Sequence, residues 1–174
     1  AELILDGVRL AASQLLGELH LGFVNTMQVL EGGRIAMAAM AVGIAQGALD
    51  QALSYMKQRT AFGKALAEFN GLQGMIADIG TEVEAARLLT LRAAALKDSG
   101  RPAKMAASMA KVFASEVAMK AATRALQIHG GAGYITEFPI ERIFRDAKLT
   151  EIGEGTSEIQ RMVIAREILG GRGA

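Results

Sequence analysis

The sequence has no cysteine and no tryptophan, and it has only two histidines and two prolines among 174 residues. The absence of cysteine excludes disulfide bonds, thiolate zinc sites, iron–sulfur clusters and a cysteine nucleophile. The two histidines, His20 and His129, are too few for a multi-histidine metal centre. We therefore predict no metal site. Because proline is scarce and Ala, Met and Leu are abundant, the composition favours helix.

An excess of charge of one sign is also missing. The chain has 19 basic and 18 acidic side chains and a net charge of +1, which gives no electrostatic footprint for nucleic acid. The longest apolar stretch, residues 35–45, is shorter than the ~20 residues of a membrane span. We therefore predict a globular protein with no nucleic acid partner and no membrane insertion.

The N-terminal residues show no initiator methionine and no targeting signal. We expect a piece of a longer protein, located in the cytoplasm of a bacterium or, in a eukaryote, in the mitochondrial matrix.

Hydrophobic periodicity predicts one short strand followed by helices. Residues 2–10 are typical of a strand whose partners are missing from the chain. Because short connections between long amphipathic helices favour antiparallel neighbours, we predict an all-α, up-and-down antiparallel bundle with a short N-terminal strand remnant. Apolar residues on more than one helix face predict a dimer or a dimer of dimers. The predicted helices cover residues 25–59, 70–97, 102–128, 140–147 and 157–169, with a break at Phe62–Gly63.

Two glycine-containing segments are the candidate sites. Glu154 lies between Gly153 and Gly155, just before a predicted helix whose N-terminus would favour an anion. This is a suitable place for a base, although composition alone favours a capping loop with an incidental acid. The glycines from Gly130 to Gly133 follow a helix rather than a strand, which excludes a Rossmann fingerprint. They indicate either a helix-ending loop or backbone close to a flat or phosphorylated ligand.

Four motifs in fixed order make the chain recognisable. They are Arg-Thr-Ala-Phe-Gly at 59–63, Gln-Ile-His-Gly-Gly-Ala-Gly-Tyr at 127–134, Arg145-Asp146, and Ile-Gly-Glu-Gly-Thr-Ser-Glu-Ile-Gln-Arg at 152–161. Together they resemble the C-terminal half of the acyl-CoA dehydrogenase family. The resemblance implies that residues 1–24 are the end of a middle β-domain with a connector, and that residues 25–174 are the C-terminal helical domain.

This resemblance implies an FAD-dependent oxidation of acyl-CoA thioesters to trans-2-enoyl-CoA, with electrons passed on to an electron-transferring flavoprotein. In the family a carboxylate removes the α-proton while the β-hydrogen leaves as hydride to FAD. By motif, Glu154 matches this base and Gly155 matches a backbone contact to substrate. In some relatives the base comes instead from the first long helix, at the position of Gly33, and Glu31 is the nearest substitute on that helix.

The remaining positions match ligand contacts of the family. Arg34, with Glu31, matches the region that contacts the CoA portion of the substrate. Arg59 and Phe62 match a segment that reaches the FAD pyrophosphate across a dimer interface. The other matches to FAD contacts are Asn70, where relatives carry Gln, the adenosine-side loop Gln127, Ile128, His129, Gly130 and Gly131, and the flavin-lining Thr156, Ser157 and Glu158.

The parts of the family that this sequence does not contain bear on its activity and leave one alternative function open. The family's N-terminal helical domain and most of its β-domain are not in this sequence, so we predict that the isolated chain is inactive. A non-catalytic helical oligomerisation module would need no flavin and would leave Glu154 inert.

Overall fold

Helices dominate the computed structural model, which describes residues 2–170 and confirms the all-α prediction. We name the five helices α1 to α5 and the strands of one small hairpin β1 and β2. Short 3₁₀ turns lie at Ala12–Gln14, Leu66–Glu68 and Gly130–Tyr134. The elements are α1 Gly22–Gln58, β1 Thr60–Ala61, β2 Lys64–Ala65, α2 Asn70–Asp98, α3 Lys104–His129, α4 Ile140–Ile152 and α5 Ser157–Ile168.

The first three helices run up, down and up. Arg87 of α2 donates a 2.8 Å hydrogen bond to Gln46 of α1, and Arg124 near the end of α3 contacts Asp78 and Glu82 in the first half of α2. At the other end of α3, Ser108 lies 3.5 Å from Arg34 of α1. Helices α1 and α3 are therefore parallel, and α2 is antiparallel to both, as the short connections predict.

The last two helices return along α3. Lys111, early in α3, donates to the backbone oxygen of Glu151 at the end of α4. Farther along the chain, Lys104 at the start of α3 pairs with Glu167 at the end of α5. Helices α4 and α5 therefore both run antiparallel to α3, and the loop that joins them lies beside the N-terminal halves of α1 and α3.

Alanine forms most of the bundle core. It has the highest helix propensity and its small side chain lets helix backbones approach closely. Helix α3 is central, with buried side chains around most of its circumference. Fully buried alanines come from each of α1, α2, α3 and α4, and include Ala38, Ala41, Ala45, Ala48, Ala52, Ala86, Ala93, Ala107, Ala110, Ala114, Ala118, Ala121, Ala122, Ala125 and Ala147.

A tight hairpin ends α1, at the break that the sequence predicts. Thr60 pairs with Ala65, and Ala61 pairs with Lys64. The two turn residues, Phe62 and Gly63, have φ values of 49° and 81°, as a hairpin with a two-residue turn requires.

Some predicted boundaries are wrong. Residues 2–10 form no strand and are exposed throughout, because a strand needs a partner and residues 2–170 offer only the hairpin. Helix α1 begins at Gly22 rather than Asn25, and α4 continues to Ile152 rather than ending at Ala147. Pro102 lies before α3 rather than in its first turn, since α3 begins at Lys104. The domain boundary between residues 24 and 25 stays a prediction.

Helix α1 is long and apolar enough to cross a membrane by length and composition alone. Its small residues have another use here, because Ala38, Ala41 and Ala45 have no exposed surface within the bundle. The buried residues of α1 recur every three or four positions, as on the core-facing stripe of a bundle helix.

Candidate active site

The loop between α4 and α5 carries Glu154 in an unusual backbone conformation. Glu154 has a φ of 56° and Gly155 a φ of 88°. The left-handed region costs a residue with a side chain roughly 1–2 kcal/mol. Such a conformation persists only where neighbouring contacts enforce it, and it occurs often at functional sites.

The Glu154 carboxylate lies directly against Gly33 of α1. A Cβ atom on Gly33 would fall 2.8 Å from Glu154 Cδ, which is closer than atoms pack. Gly33 therefore leaves the space that the carboxylate occupies. Glu154 and Gly33 are the two positions at which the family resemblance predicts a base, and the fold brings them into contact.

One carboxylate oxygen of Glu154 has no partner. Oε2 is buried and makes no hydrogen bond to any residue within 2–170. Since buried polar atoms are nearly always hydrogen-bonded, Oε2 of Glu154 keeps a hydrogen-bonding capacity that residues 2–170 do not use.

Two fully buried polar side chains hold the loop at either end. Gln160 of α5 donates from Nε2 to the backbone oxygens of Glu154 and Gly155, each at 3.0 Å. Lys111 donates from Nζ to the Glu151 oxygen at 3.2 Å, which places a cation at the C-terminus of α4. Desolvation by burial lowers the pKa of Lys111 and outweighs the opposing influence of nearby carboxylates.

The N-terminus of α5 presents the predicted flavin-lining residues. The Ser157 hydroxyl is buried and without a partner in the described chain. Glu158 is exposed, and hydrogen bonds from the Thr156 hydroxyl and its own backbone N–H lower its pKa. A shallow pocket of about 200 Å³ lies beside them, lined also by Lys148 and Arg161. The anion favoured at this helix end is thus partly supplied by Glu158 itself.

The two predicted CoA-contacting side chains lie one turn apart on α1. Arg34 is buried, with Nη1 3.5 Å from the Ser108 hydroxyl and Nε unpartnered within the described residues. Glu31 is half-buried. Arg34 therefore points into the bundle toward Ser108 of α3 rather than into open solvent.

A second group of predicted ligand contacts lies at the far end of the bundle. Arg59, Phe62 and Asn70 surround the hairpin and are all exposed. Phe62 has 97% of its surface accessible. An aromatic ring so placed on a tight turn is available for a partner molecule.

The loop after α3 lies at that same far end. Gln127, Gly130 and Gly131 are exposed, whereas Ile128 is buried. The His129 ring is also buried and stacks on Tyr55 with centroids 4.3 Å apart. Its Nδ1 donates to the Ala125 oxygen at 2.7 Å, and burial lowers its pKa. A ligand can reach the exposed backbone of this loop but not the His129 ring.

The two groups are too far apart to share one ligand on one chain. Gly33 marks the first group and Arg59 the second, and the α1 segment between them is about 40 Å long at 1.5 Å per residue. The structure thus brings together Glu154, Gly155, Thr156, Ser157 and Glu158 with Glu31 and Arg34, and it separates them from Arg59, Phe62, Asn70 and residues 127–131.

Sequence reasoning missed Lys111 and Gln160. Gln160 lies inside a recognised motif, but nothing in its spacing shows that it turns back to the loop. Lys111 carried a detectable signal, since it is a lone lysine within an apolar run from Met109 to Val112.

The family model for the C-terminal domain of acyl-CoA dehydrogenases matches residues 20–169. The chain belongs to the acyl-CoA dehydrogenase family. A probable acyl-CoA dehydrogenase of Bacillus subtilis is 53% identical over 97% of the chain, which covers 44% of that relative. The chain thus spans less than half the length of the curated relatives it matches.

Solved structures share the fold. A glutaryl-coenzyme A dehydrogenase in complex with glutaryl-CoA has a TM-score of 0.93 and 41% identity over 97% of this chain and 43% of its own. The protein PigA with FAD and proline has a TM-score of 0.90 and 30% identity over 97% of this chain and 44% of its own.

Proposed function

We propose that the protein carrying this chain dehydrogenates acyl-CoA thioesters to trans-2-enoyl-CoA. Glu154 removes the proton from the α-carbon, and the β-hydrogen leaves with its electron pair as hydride. The electron pair of the broken α-carbon–hydrogen bond then forms the carbon–carbon double bond. The observation that carries this proposal is the buried, unpartnered Oε2 of Glu154, held beside α1 on a strained loop.

The residues of the chain fit a flavin at this place. The unpartnered Ser157 hydroxyl and the exposed start of α5 lie next to the base. Bound FAD would supply the hydride acceptor. Thr156, Ser157 and Glu158 would hold it, while backbone at Gly155 would contact the thioester.

Two copies of the chain would complete each cofactor site. The approximately 40 Å between Gly33 and Arg59 supports a site whose distant contacts come from a second subunit. Arg59 and Phe62 would contact the FAD pyrophosphate there, because a guanidinium suits paired contacts to phosphate oxygens. The Gln127–Gly131 backbone and Asn70 lie near them and would contact the rest of the cofactor.

The wider assignments rest on the family. We propose a homodimer or homotetramer, an electron-transferring flavoprotein as electron acceptor, and an aqueous compartment such as bacterial cytoplasm or mitochondrial matrix. Arg34 and Glu31 would act near the CoA portion of the substrate. Without the remaining domains of its relatives, we expect the isolated chain to be inactive.

The decisive experiment uses Glu154→Gln in the flavin-loaded protein. The amide is nearly isosteric but cannot accept the proton, so flavin reduction by butyryl-CoA under anaerobic conditions should slow by about 10²–10⁴-fold. Flavin content and acyl-CoA binding should stay unchanged. An undiminished rate would place the base elsewhere. A purified protein that binds no flavin at all would favour a helical oligomerisation module instead.

A further inference from the structure

We infer that Gln160 is a positioning residue that holds Glu154 in its left-handed backbone conformation. This inference rests on the proposed function for its catalytic meaning, but its structural content does not depend on the reaction. Gln160 has no exposed surface, and a buried amide would ordinarily use both its oxygen and its nitrogen in hydrogen bonds.

The hydrogen bonds of Gln160 are directed at the loop. Nε2 donates to two consecutive backbone oxygens, those of Glu154 and Gly155, at equal distances of 3.0 Å. Its Oε1 is buried and unpartnered within the described chain. Burying that oxygen without a partner lowers the stability of the fold. The stabilising hydrogen bonds of the Gln160 side chain are therefore the two from Nε2 to the loop.

The strained residues are the ones that Gln160 contacts. Glu154 and Gly155 both have positive φ values, 56° and 88°. A residue other than glycine leaves this backbone region unless its surroundings hold it there. Two hydrogen bonds from one rigid amide fix the orientation of both peptide groups, and hence the direction of the Glu154 side chain toward Gly33.

The packing around the amide supports this arrangement. A Cβ atom on Gly155 would fall 2.8 Å from Gln160 Nε2, so the amide approaches the backbone as closely as a glycine permits. Methionine at position 160 would keep the volume and remove the donor. The loop would then be free to relax, and the carboxylate would move away from the α-carbon of a bound thioester.

The test compares the Gln160→Met variant with the unmodified protein, both loaded with flavin. We expect unchanged flavin content and unchanged butyryl-CoA binding, but flavin reduction slower by about 10²-fold, since a displacement of about 1 Å costs that much. A crystal structure of the variant should show residue 154 outside the left-handed region.

The control is Gln46→Met, which removes a hydrogen-bonded glutamine between α1 and α2 and should leave the rate unchanged. A Gln160→Met protein with φ at residue 154 and flavin reduction rate both preserved would overturn the inference. If the flavin of the unmodified protein is reduced by none of a series of acyl-CoA thioesters of different chain length, the proposed function fails. The backbone conformation of the variant then still decides whether Gln160 holds the loop.

Discussion

At the scale of single residues, the candidate site depends on its glycines as much as on its charged side chains. Gly33 leaves the space for the Glu154 carboxylate, and Gly155 lets the Gln160 amide approach the loop. The family resemblance marks both positions, but it does not show that Gly33 makes room for Glu154 or that Gly155 makes room for Gln160. Their importance appears only when the neighbouring side chain is known, because it arises from contacts between elements far apart in the chain.

Gly33→Ala separates activity from stability. Alanine is favoured over glycine inside a helix by about 1 kcal/mol, and the atoms it would meet are at the far end of the Glu154 side chain, which can change rotamer. We therefore expect thermal stability to be kept or increased, while flavin reduction by butyryl-CoA slows by about tenfold or more because the carboxylate is displaced.

The matched control for Gly33→Ala is Gly43→Ala. Gly43 lies on the same helix, and a Cβ atom there would meet nothing within 4 Å. It should show a similar gain in stability and no loss of rate. Equal rates for the two variants would mean that Glu154 does not act from its position beside Gly33.

At the scale of elements, sequence periodicity predicted most of the fold. Helix α2 begins at Asn70 as expected, and α5 begins at Ser157, because apolar spacing and glycine breaks are local signals. The prediction of a strand in residues 2–10 was wrong, because a strand needs a partner strand and the local sequence does not show whether one is present. The short connections predicted that neighbouring helices would be antiparallel. The contact of Lys111 with the end of α4 could not be predicted, because it depends on how the helices pack.

Lys111 gives the contact between α3 and α4 a dependence on pH. Its pKa is lowered by desolvation and by Arg34, against Glu151, Glu158 and Glu116, which raise it. Between this lowered pKa and the usual lysine value of about 10.4, the unfolded chain binds one more proton than the folded chain. Stability therefore rises with pH through that window, by at most about 1.4 kcal/mol per pH unit.

Lys111→Met should remove this dependence. Urea unfolding between pH 7 and 10, a range chosen around the ordinary lysine pKa of about 10.4, should show the free energy of unfolding of the unmodified protein rising relative to that of the variant. Lys120→Met, at a side chain that is 59% exposed, serves as the control and should show no such divergence. Parallel curves for Lys111→Met would mean that Lys111 titrates as it does in the unfolded chain.

At the scale of the whole molecule, the two ends of the bundle carry different parts of one proposed site. Glu154 and the start of α5 lie at one end, and the hairpin with Phe62 lies at the other. The motifs predicted all of these residues as ligand contacts, but they could not show the separation, since sequence order gives no distances. An antiparallel pairing of two chains would bring unlike ends together, and we propose that this pairing completes the cofactor site.

Flavin retention should therefore depend on protein concentration and on Phe62. Burying a phenylalanine side chain contributes about 1.5–3 kcal/mol, so Phe62→Ala should raise the concentration at which half of the flavin is lost by about 10- to 100-fold. Gel filtration with absorbance detection over a dilution series measures this. Leu169→Ala removes another exposed apolar side chain, 82% accessible after α5, and should change nothing. A monomer that keeps its flavin at every dilution would contradict both the shared site and the role of Phe62.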